Sequence, residues 1–303
     1  MKEEAIQLGK SRSLVGIVTF AAAGHEAKPG VILLNPGIVH RVGPGRIYVK
    51  IARALAVQGF TVVRFDFSGI GDSSVRQDNL RFEESSVDEA RAAMSFLEIT
   101  KDINRFILLG GCSGAAVSLE TARSDRRAIG AILINLPARA DDDEQTIDRN
   151  DRHYYWNFAL LSMTSWRKLL TGQSNYRKIG RALTQGIKRK FIDSKKPSDS
   201  DQRFQTLLRE LAGRSVQLTF ICSKDDPLLR DLRDAGGDVL KRLCRQGAAA
   251  CDVIPRSDHT FSSLHDQERL VDVILKRANE TALALGEQSR APVVAHHPVE
   301  ALS

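Results

Sequence analysis

The chain has 303 residues, a net charge of +7 and four cysteines that form no CxxC pair. A chain of this length can bury a large core without disulfides or structural metals, which excludes the small disulfide-stabilised class. No apolar run is long enough to span a membrane and no basic start leads into an apolar signal segment, so we expect a protein of the reducing cytoplasm.

Short apolar runs alternate with helix-like segments along most of the chain, a pattern typical of parallel strands joined by crossover helices. The first two runs, residues 4–8 and 13–19, predict antiparallel strands that open the sheet. Six later runs predict the remaining strands, at residues 30–35, 61–66, 105–110, 131–136, 217–222 and 250–254. Residues 46–57 and 87–97 carry apolar side chains at three- and four-residue steps and predict helices.

One segment interrupts this alternation and predicts a helical lid over residues 138–215, because it lacks a buried-strand pattern and is too long for an ordinary connection. Between Arg152 and Lys196 it carries eleven Lys or Arg against one acid, Asp193, which leaves the rest of the chain slightly acidic. The predicted core therefore comprises residues 1–137 and 216–280. Residues 281–303 lose periodicity and are expected to form a flexible tail.

Residues 105–116, RFILLGGCSGAA, run from an apolar strand into a glycine-rich turn around a nucleophilic side chain. A nucleophile elbow has this form, with small residues two positions before and two after the nucleophile. One register places Cys112 between two glycines, and the other places Ser113 between a glycine and an alanine. We favour Cys112 on that spacing and keep Ser113 as the alternative nucleophile.

The elbow, the strand order and the late insertion resemble the α/β-hydrolase superfamily over about residues 4–280. DFSGIGDS at residues 66–73 is similar to that fold's D-x-R-G-x-G-x-S turn, with Ser68 where arginine is common. The serine-aminopeptidase-like branch of this superfamily resembles the chain at two stretches, NPGIVHRVGPGRIYVKIARAL and the later RFDFSGIGDS. The resemblance is in particular to hydrolases encoded with bacterial exosortase and exopolysaccharide systems. Some of those hydrolases also have cysteine at the elbow. The resemblance implies a mostly parallel eight-stranded sheet, helices on both faces and a helical lid inserted after the sixth strand.

In that superfamily the catalytic residues follow the order nucleophile, acid, histidine. SKDDP is similar to the family's G-x-x-D-P turn, which favours Asp226 over Asp225 as the acid. RSDHTF resembles the loop that returns the catalytic histidine, which makes His259 the base. A thiol or hydroxyl must lose a proton to attack a carbonyl, imidazole exchanges protons near neutral pH, and a carboxylate fixes the imidazole tautomer.

The backbone N–H groups of Ser113 and Ile38 are the expected oxyanion donors, because Ser113 follows the nucleophile and Ile38 lies in the loop after the first parallel strand. His40 lies beside that loop and could contact substrate, although a hydrogen bond to neighbouring backbone is the alternative. The substrate-pocket candidates are His40, Tyr155, Trp156 and Trp166.

Together these features predict a hydrolase that acts on an ester, thioester or related acyl bond through a Cys112–His259–Asp226 triad and a covalent acyl-enzyme. The alternatives are an acyltransferase on the same triad and a non-catalytic binding protein of an exopolysaccharide or protein-sorting pathway. We expect no cofactor and no metal, because the acidic run at residues 141–144 lacks calcium-loop spacing. The basic lid suits an anionic substrate or peripheral membrane contact, and no recognition module predicts nucleic-acid binding.

Overall fold

Each predicted apolar run forms a strand in the computed structural model, which describes residues 1–9, 11–22, 28–78, 80–139 and 198–290. The strands are β1 (Glu3–Leu8), β2 (Leu14–Thr19), β3 (Gly30–Leu34), β4 (Val62–Phe65), β5 (Phe106–Gly111), β6 (Ala128–Ile134), β7 (Gln217–Ser223) and β8 (Ala249–Ile254). The described helices of two turns or more are α1 (Ile47–Val57), α2 (Phe82–Lys101), α3 (Ser113–Ser124), α4 (Asp199–Gly213), α5 (Pro227–Arg245) and α6 (Leu264–Arg290).

All eight strands join one sheet in the order β1-β2-β4-β3-β5-β6-β7-β8. β2 pairs antiparallel with both β1 and β4, whereas every pairing from β4 to β8 is parallel. The predicted fold, a mostly parallel eight-stranded sheet covered by helices, is therefore confirmed. The parallel strands end at the same edge of the sheet, and the loops that leave this edge carry the candidate catalytic side chains.

Alternating side chains along the central strands bury both faces of the sheet. On β3, Val31 and Leu33 belong to the apolar cluster under α1 and α6, whereas Ile32 and Leu34 belong to the cluster under α2 to α5. These side chains are fully buried, which explains why the sequence shows continuous apolar runs here instead of alternation.

Helix α4 corrects the predicted boundary of the lid, because residues 199–213 lie inside the segment assigned to it and yet pack in the core. Phe204, Leu208 and Leu211 are buried in the cluster that also contains α3 and α5. The side chain of Ser198 begins α4 with a capping box. The insertion therefore ends before Ser198, and residues 140–197, with Tyr155, Trp156 and Trp166, lie outside the described residues.

Helix α6 extends ten residues into the predicted tail and ends at Arg290. Its buried face continues from Ile274 through Ala278 to Thr281, which faces the core, and the hydroxyl of Thr281 donates to the carbonyl of Arg277 at 2.9 Å. The remainder of the tail, residues 291–303, is not among the described residues. Within the described ranges, no helix combines the length and hydrophobicity needed to cross a bilayer.

Candidate active site

Cys112 lies at the tip of the turn between β5 and α3, with φ 52° and ψ −118°. A positive φ is unusual for a residue with a side chain and costs about 1–3 kcal/mol, so surrounding contacts must hold it. The N–H of Cys112 donates to the carbonyl of Ile134 at 2.8 Å, and its carbonyl accepts from the N–H of Ala115 at 3.0 Å. Hydrogen bonds to β6 and to the first turn of α3 therefore hold Cys112 in this conformation.

The glycine spacing around this turn distinguishes the two registers. A Cβ on Gly110 would lie 2.2 Å from the carbonyl carbon of Gly114, and a Cβ on Gly114 would lie 2.2 Å from a carbonyl oxygen at the end of β3. The other register requires small residues at Gly111 and Ala115, yet a Cβ on Gly111 would meet no atom closer than 3.5 Å and Ala115 already carries one. The two sterically required glycines thus flank Cys112.

Ser113 is the first residue of α3, and its hydroxyl oxygen accepts a hydrogen bond from the N–H of Gly37 at 2.8 Å. Gly37 has φ 57° within a tight turn in which the N–H of Val39 donates to the carbonyl of Pro36. The Ser113 side chain therefore ties the elbow to the loop that contains Ile38, the second expected oxyanion donor.

Asp226 and His259 meet at the end of the sheet beside the elbow. Asp226 begins α5, where its Oδ1 accepts from the N–H of Leu228 at 2.9 Å and its Oδ2 contacts the Nδ1 of His259. Asp225 points to solvent, so the structure brings Asp226, the favoured acid, to the imidazole. With Nδ1 engaged by Asp226, Nε2 is the ring nitrogen left to face Cys112.

The hydrogen bond that the imidazole donates to Asp226, together with a second hydrogen bond to Cys112, raises the pKa of His259 to about 10, against the lowering effect of burial. The three side chains thus form a connected line from Asp226 through His259 to Cys112. At neutral pH this arrangement keeps a proton on the imidazole, since the raised pKa lies well above neutrality.

Asn135, which the sequence reasoning missed, holds the loop that carries His259. Its side-chain amide donates to the carbonyl of His259 at 2.9 Å, and its Oδ1 accepts from the N–H of Ser223 at 2.9 Å. The hydroxyl of Ser223 donates in turn to the carbonyl of Asp258 at 2.8 Å. The only sequence signal is a polar residue at the end of a buried run, where the carboxyl ends of β6 and β7 meet.

Tyr48 is a second supporting residue absent from the sequence prediction. Its hydroxyl donates to the carbonyl of Leu34 and accepts from the N–H of Gly111, both at 2.9 Å, and its side chain is fully buried. A buried tyrosine normally finds a partner for its hydroxyl. Here the partners belong to β3 and β5, so Tyr48 fixes the elbow against the start of the 35–38 loop.

The DFSGIGDS turn holds the segment that follows the 35–38 loop. Asp66 is fully buried, accepts from the backbone N–H of Arg41 at 2.5 Å and pairs with its guanidinium, which also reaches Asp72 at 2.6 Å. A Cβ on Gly71 would collide with the Asp66 carboxylate, so glycine is required at that point. The serine that departs from the superfamily pattern, Ser68, instead binds Glu89 through its N–H and hydroxyl.

Of the substrate-pocket candidates, only His40 falls in the described residues. Its side chain is exposed near the 35–38 loop, and its backbone carbonyl accepts from the N–H of Gly43 at 2.9 Å. Among the side chains that the structure describes, no cluster of three or more His, Cys, Asp or Glu has a metal-binding arrangement.

A family model described as the alpha/beta hydrolase family matches residues 31–273 of the chain. Among curated proteins, Esterase EstD from Thermotoga maritima is 31% identical over 115 residues, which cover 37% of this chain and 27% of the esterase. The chain therefore matches little more than a quarter of that relative's length.

Two solved structures have a similar fold at low sequence identity. An alpha-beta serine hydrolase homologue from Coxiella burnetii has a TM-score of 0.52 and 14% identity, covering 91% of this chain and 96% of that one. The alpha/beta hydrolase GrgF from Penicillium sp. sh18 has a TM-score of 0.57 and 15% identity, covering 93% and 100% of the two chains.

Proposed function

The chain belongs to the alpha/beta hydrolase family, and from this premise we propose that it hydrolyses an ester, thioester or related acyl bond with Cys112 as the nucleophile. The observation that carries the proposal is the connected line of Asp226, His259 and Cys112 at a glycine-flanked elbow. The engagement of the Ser113 hydroxyl by Gly37 supports cysteine over serine.

In the proposed reaction the Cys112 sulfur attacks the carbonyl carbon as a thiolate paired with protonated His259. The new C–S bond leaves negative charge on the carbonyl oxygen, which the N–H groups of Ser113 and Ile38 stabilise. When the intermediate collapses, His259 gives its proton to the departing alcohol or thiol. His259 then takes a proton from water, which attacks the acyl-enzyme and releases the acid and the Cys112 thiolate.

Asp226 keeps the imidazole in one orientation and stabilises its positive charge throughout this cycle. If an acceptor other than water attacked the acyl-enzyme in the second step, the same residues would catalyse acyl transfer. The resemblance to exosortase- and exopolysaccharide-associated hydrolases leads us to place the activity in such a system.

A cleft beside the proposed acid supports a substrate with a negatively charged group. The cleft has a volume of about 300 Å³ and is lined by Lys224, Asp226, Leu229, Arg230, Arg233 and Asp234. Three cations thus face two acids, and one of these acids, Asp234, also lies 3.7 Å from the guanidinium of Arg139. The lining thus has one more positive than negative side chain, which is compatible with a carboxylate or phosphate on the bound molecule.

The test combines thiol labelling with turnover of a panel of neutral and anionic esters and thioesters. Iodoacetamide should alkylate Cys112 and abolish turnover in parallel, while Cys222, whose thiol is buried with its pKa raised to about 12, should stay unlabelled. Cys112→Ala should remove turnover, and Ser113→Ala is the matched control that should retain a large share of it.

Two results would overturn the proposal in different ways. Loss of turnover in Ser113→Ala, with activity kept in Cys112→Ala, would assign the reaction to the serine. No turnover across the panel, or turnover that is unchanged in His259→Ala, would favour a binding protein that has the fold without the reaction.

A further inference from the structure

Two cysteines far along the chain from the elbow lie in direct contact. The Sγ atoms of Cys244, in the last turn of α5, and Cys251, in β8, are 3.5 Å apart. Neither forms a disulfide in the structure, Cys244 is half-buried and Cys251 is exposed. The pair is therefore open to small reagents from solvent.

A tight turn brings the two thiols together. The N–H of Gly247, at φ 75°, donates to the carbonyl of Cys244 at 3.2 Å, and the N–H of Ala248 donates to the carbonyl of Leu243 at 3.0 Å. These bonds fix the end of α5 against the start of β8, which is the edge strand of the sheet. Since a disulfide is about 2.05 Å long, the sulfurs must approach by roughly 1.5 Å to bond.

We propose that Cys244 and Cys251 are a redox pair that a peroxide converts to a disulfide and that a small dithiol reduces again. One thiolate attacks a peroxide oxygen, which breaks the O–O bond, forms a sulfenic acid and releases water or the corresponding alcohol. The second thiol then displaces water from the sulfenic acid and forms the S–S bond. Overall the two thiols lose two protons and two electrons, and hydrogen peroxide is reduced to two molecules of water.

The electrostatics of the pair determine the pH range of this chemistry. Partial desolvation of the sulfur, and then the charge and hydrogen bond of Cys244, raise the pKa of Cys251 well above its usual range. Cys251 therefore stays a protonated thiol near neutral pH, and oxidation of the pair should be faster at alkaline pH, where thiolate forms. The proposal itself rests on the 3.5 Å contact between the two sulfurs.

This inference is independent of the proposed function, because none of the described contacts of either sulfur involves Cys112, His259 or Asp226. Its consequence is a covalent link between α5 and the strand that leads into the His259 loop. The pair is also distinct from Cys222, which is buried on β7 opposite Val253.

The experiment uses the full chain with Cys112→Ser, which removes the thiol of the proposed nucleophile. The reduced protein is treated with a stoichiometric amount of hydrogen peroxide, and free thiols and intact mass are measured. We expect the loss of two thiols and of the mass of two hydrogen atoms, both restored by dithiothreitol. Trypsin cuts after Arg245, between the two cysteines, so a disulfide-linked peptide pair containing Cys244 and Cys251 identifies the bond.

Cys222→Ser in the same background is the matched control and should form the bond unchanged, whereas Cys244→Ser and Cys251→Ser should not lose two hydrogens. A protein that keeps all its thiols, gains oxygen on one sulfur without cross-linking, or links either cysteine to Cys222 would overturn the proposal. Turnover of the ester panel by the unsubstituted protein is a separate measurement, so its absence would leave this result intact.

Discussion

At the scale of single residues, steric contacts around Cys112 give the sharpest test of the elbow. Gly110→Ala should lower the free energy of unfolding by about 1–3 kcal/mol, because its new methyl group would overlap the backbone of Gly114. Gly111→Ala, one residue along, should change it by less than about 1 kcal/mol, since its methyl group meets only ordinary contacts. Urea titrations of both variants measure the difference, and equal effects would contradict the assignment of Cys112 to the tip.

The charge on His259 provides the second prediction at this scale. Asp226→Asn should lower the pKa of His259 from about 10 towards its ordinary value of 6.5, because the hydrogen bond to the Asp226 carboxylate is the largest cause of the rise. The change is read from the ring-proton NMR titration, with the His259 signal identified by its absence in His259→Gln. Asp225→Asn alters an exposed neighbour and should leave this titration unchanged, so an equal shift in both variants would contradict the contact.

The same titration predicts how stability depends on pH. A pKa raised in the folded state means that the protonated imidazole stabilises the fold fully below pH 6.5, and that this contribution is lost as the pH rises from about 6.5 to about 10. The free energy of unfolding of the unsubstituted protein should therefore fall over this interval more steeply than that of Asp226→Asn. Urea midpoints at several pH values compare the slopes, and parallel curves would contradict the linkage.

At the scale of secondary-structure elements, the ends of β6 and β7 position the loop that carries His259. Asn135→Ala should cost about 1–3 kcal/mol, because it leaves the N–H of Ser223 and the carbonyl of His259 without these partners. If Asn135 positions the imidazole, kcat should also fall by roughly 10-fold or more with KM little changed. Ser223→Ala removes the hydroxyl bond to Asp258 and the 3.3 Å hydrogen bond from the Asn135 amide but keeps both bonds of Asn135 to the backbone, so it is the milder control. A loss of stability with unchanged kcat would limit Asn135 to a structural role.

The strands could be predicted from the sequence to within a few residues, because fully buried strands leave continuous apolar runs. Helices were harder to predict where polar residues or glycines interrupt their apolar pattern. α2 begins at Phe82, five residues before the predicted start, since its first turn is polar, and α5 contains Gly236 and Gly237, which break the helical pattern. α4 has a clear amphipathic pattern, but the pattern does not say which element its apolar face contacts, so the sequence places α4 in the lid although its apolar face packs in the core.

The residues of the candidate active site also differ in whether a local sequence pattern marks them. The motif residues Cys112, Asp226 and His259 are visible in the sequence because each stands in a short segment with its own turn chemistry. Tyr48 and Asn135 act through hydrogen bonds to backbone groups that are distant in the chain, and no local pattern marks such contacts. The side chains placed to react are therefore easier to find in the sequence than the side chains that hold them.

At the scale of the whole molecule, the segment 140–197 joins the core at a defined ion pair. Arg139, just before the segment, contacts Asp201 of α4 at 2.8 Å, and the same aspartate completes the cap of α4 with Ser198. The two ends of the segment are therefore held together by core residues. We expect the core to fold as a unit up to Arg139 and again from Ser198.

Two deletions test this boundary. Replacing residues 142–196 with a short flexible linker should leave a protein that unfolds cooperatively, because the Arg139–Asp201 contact and the buried face of α4 remain. Replacing residues 138–215 removes that contact and the buried side chains of Phe204, Leu208 and Leu211, and the truncated chain should not fold. Circular dichroism and urea unfolding compare the two. If the protein with the longer deletion folds, α4 belongs to the insertion and not to the core. If the protein with the shorter deletion does not fold, the core requires residues 142–196.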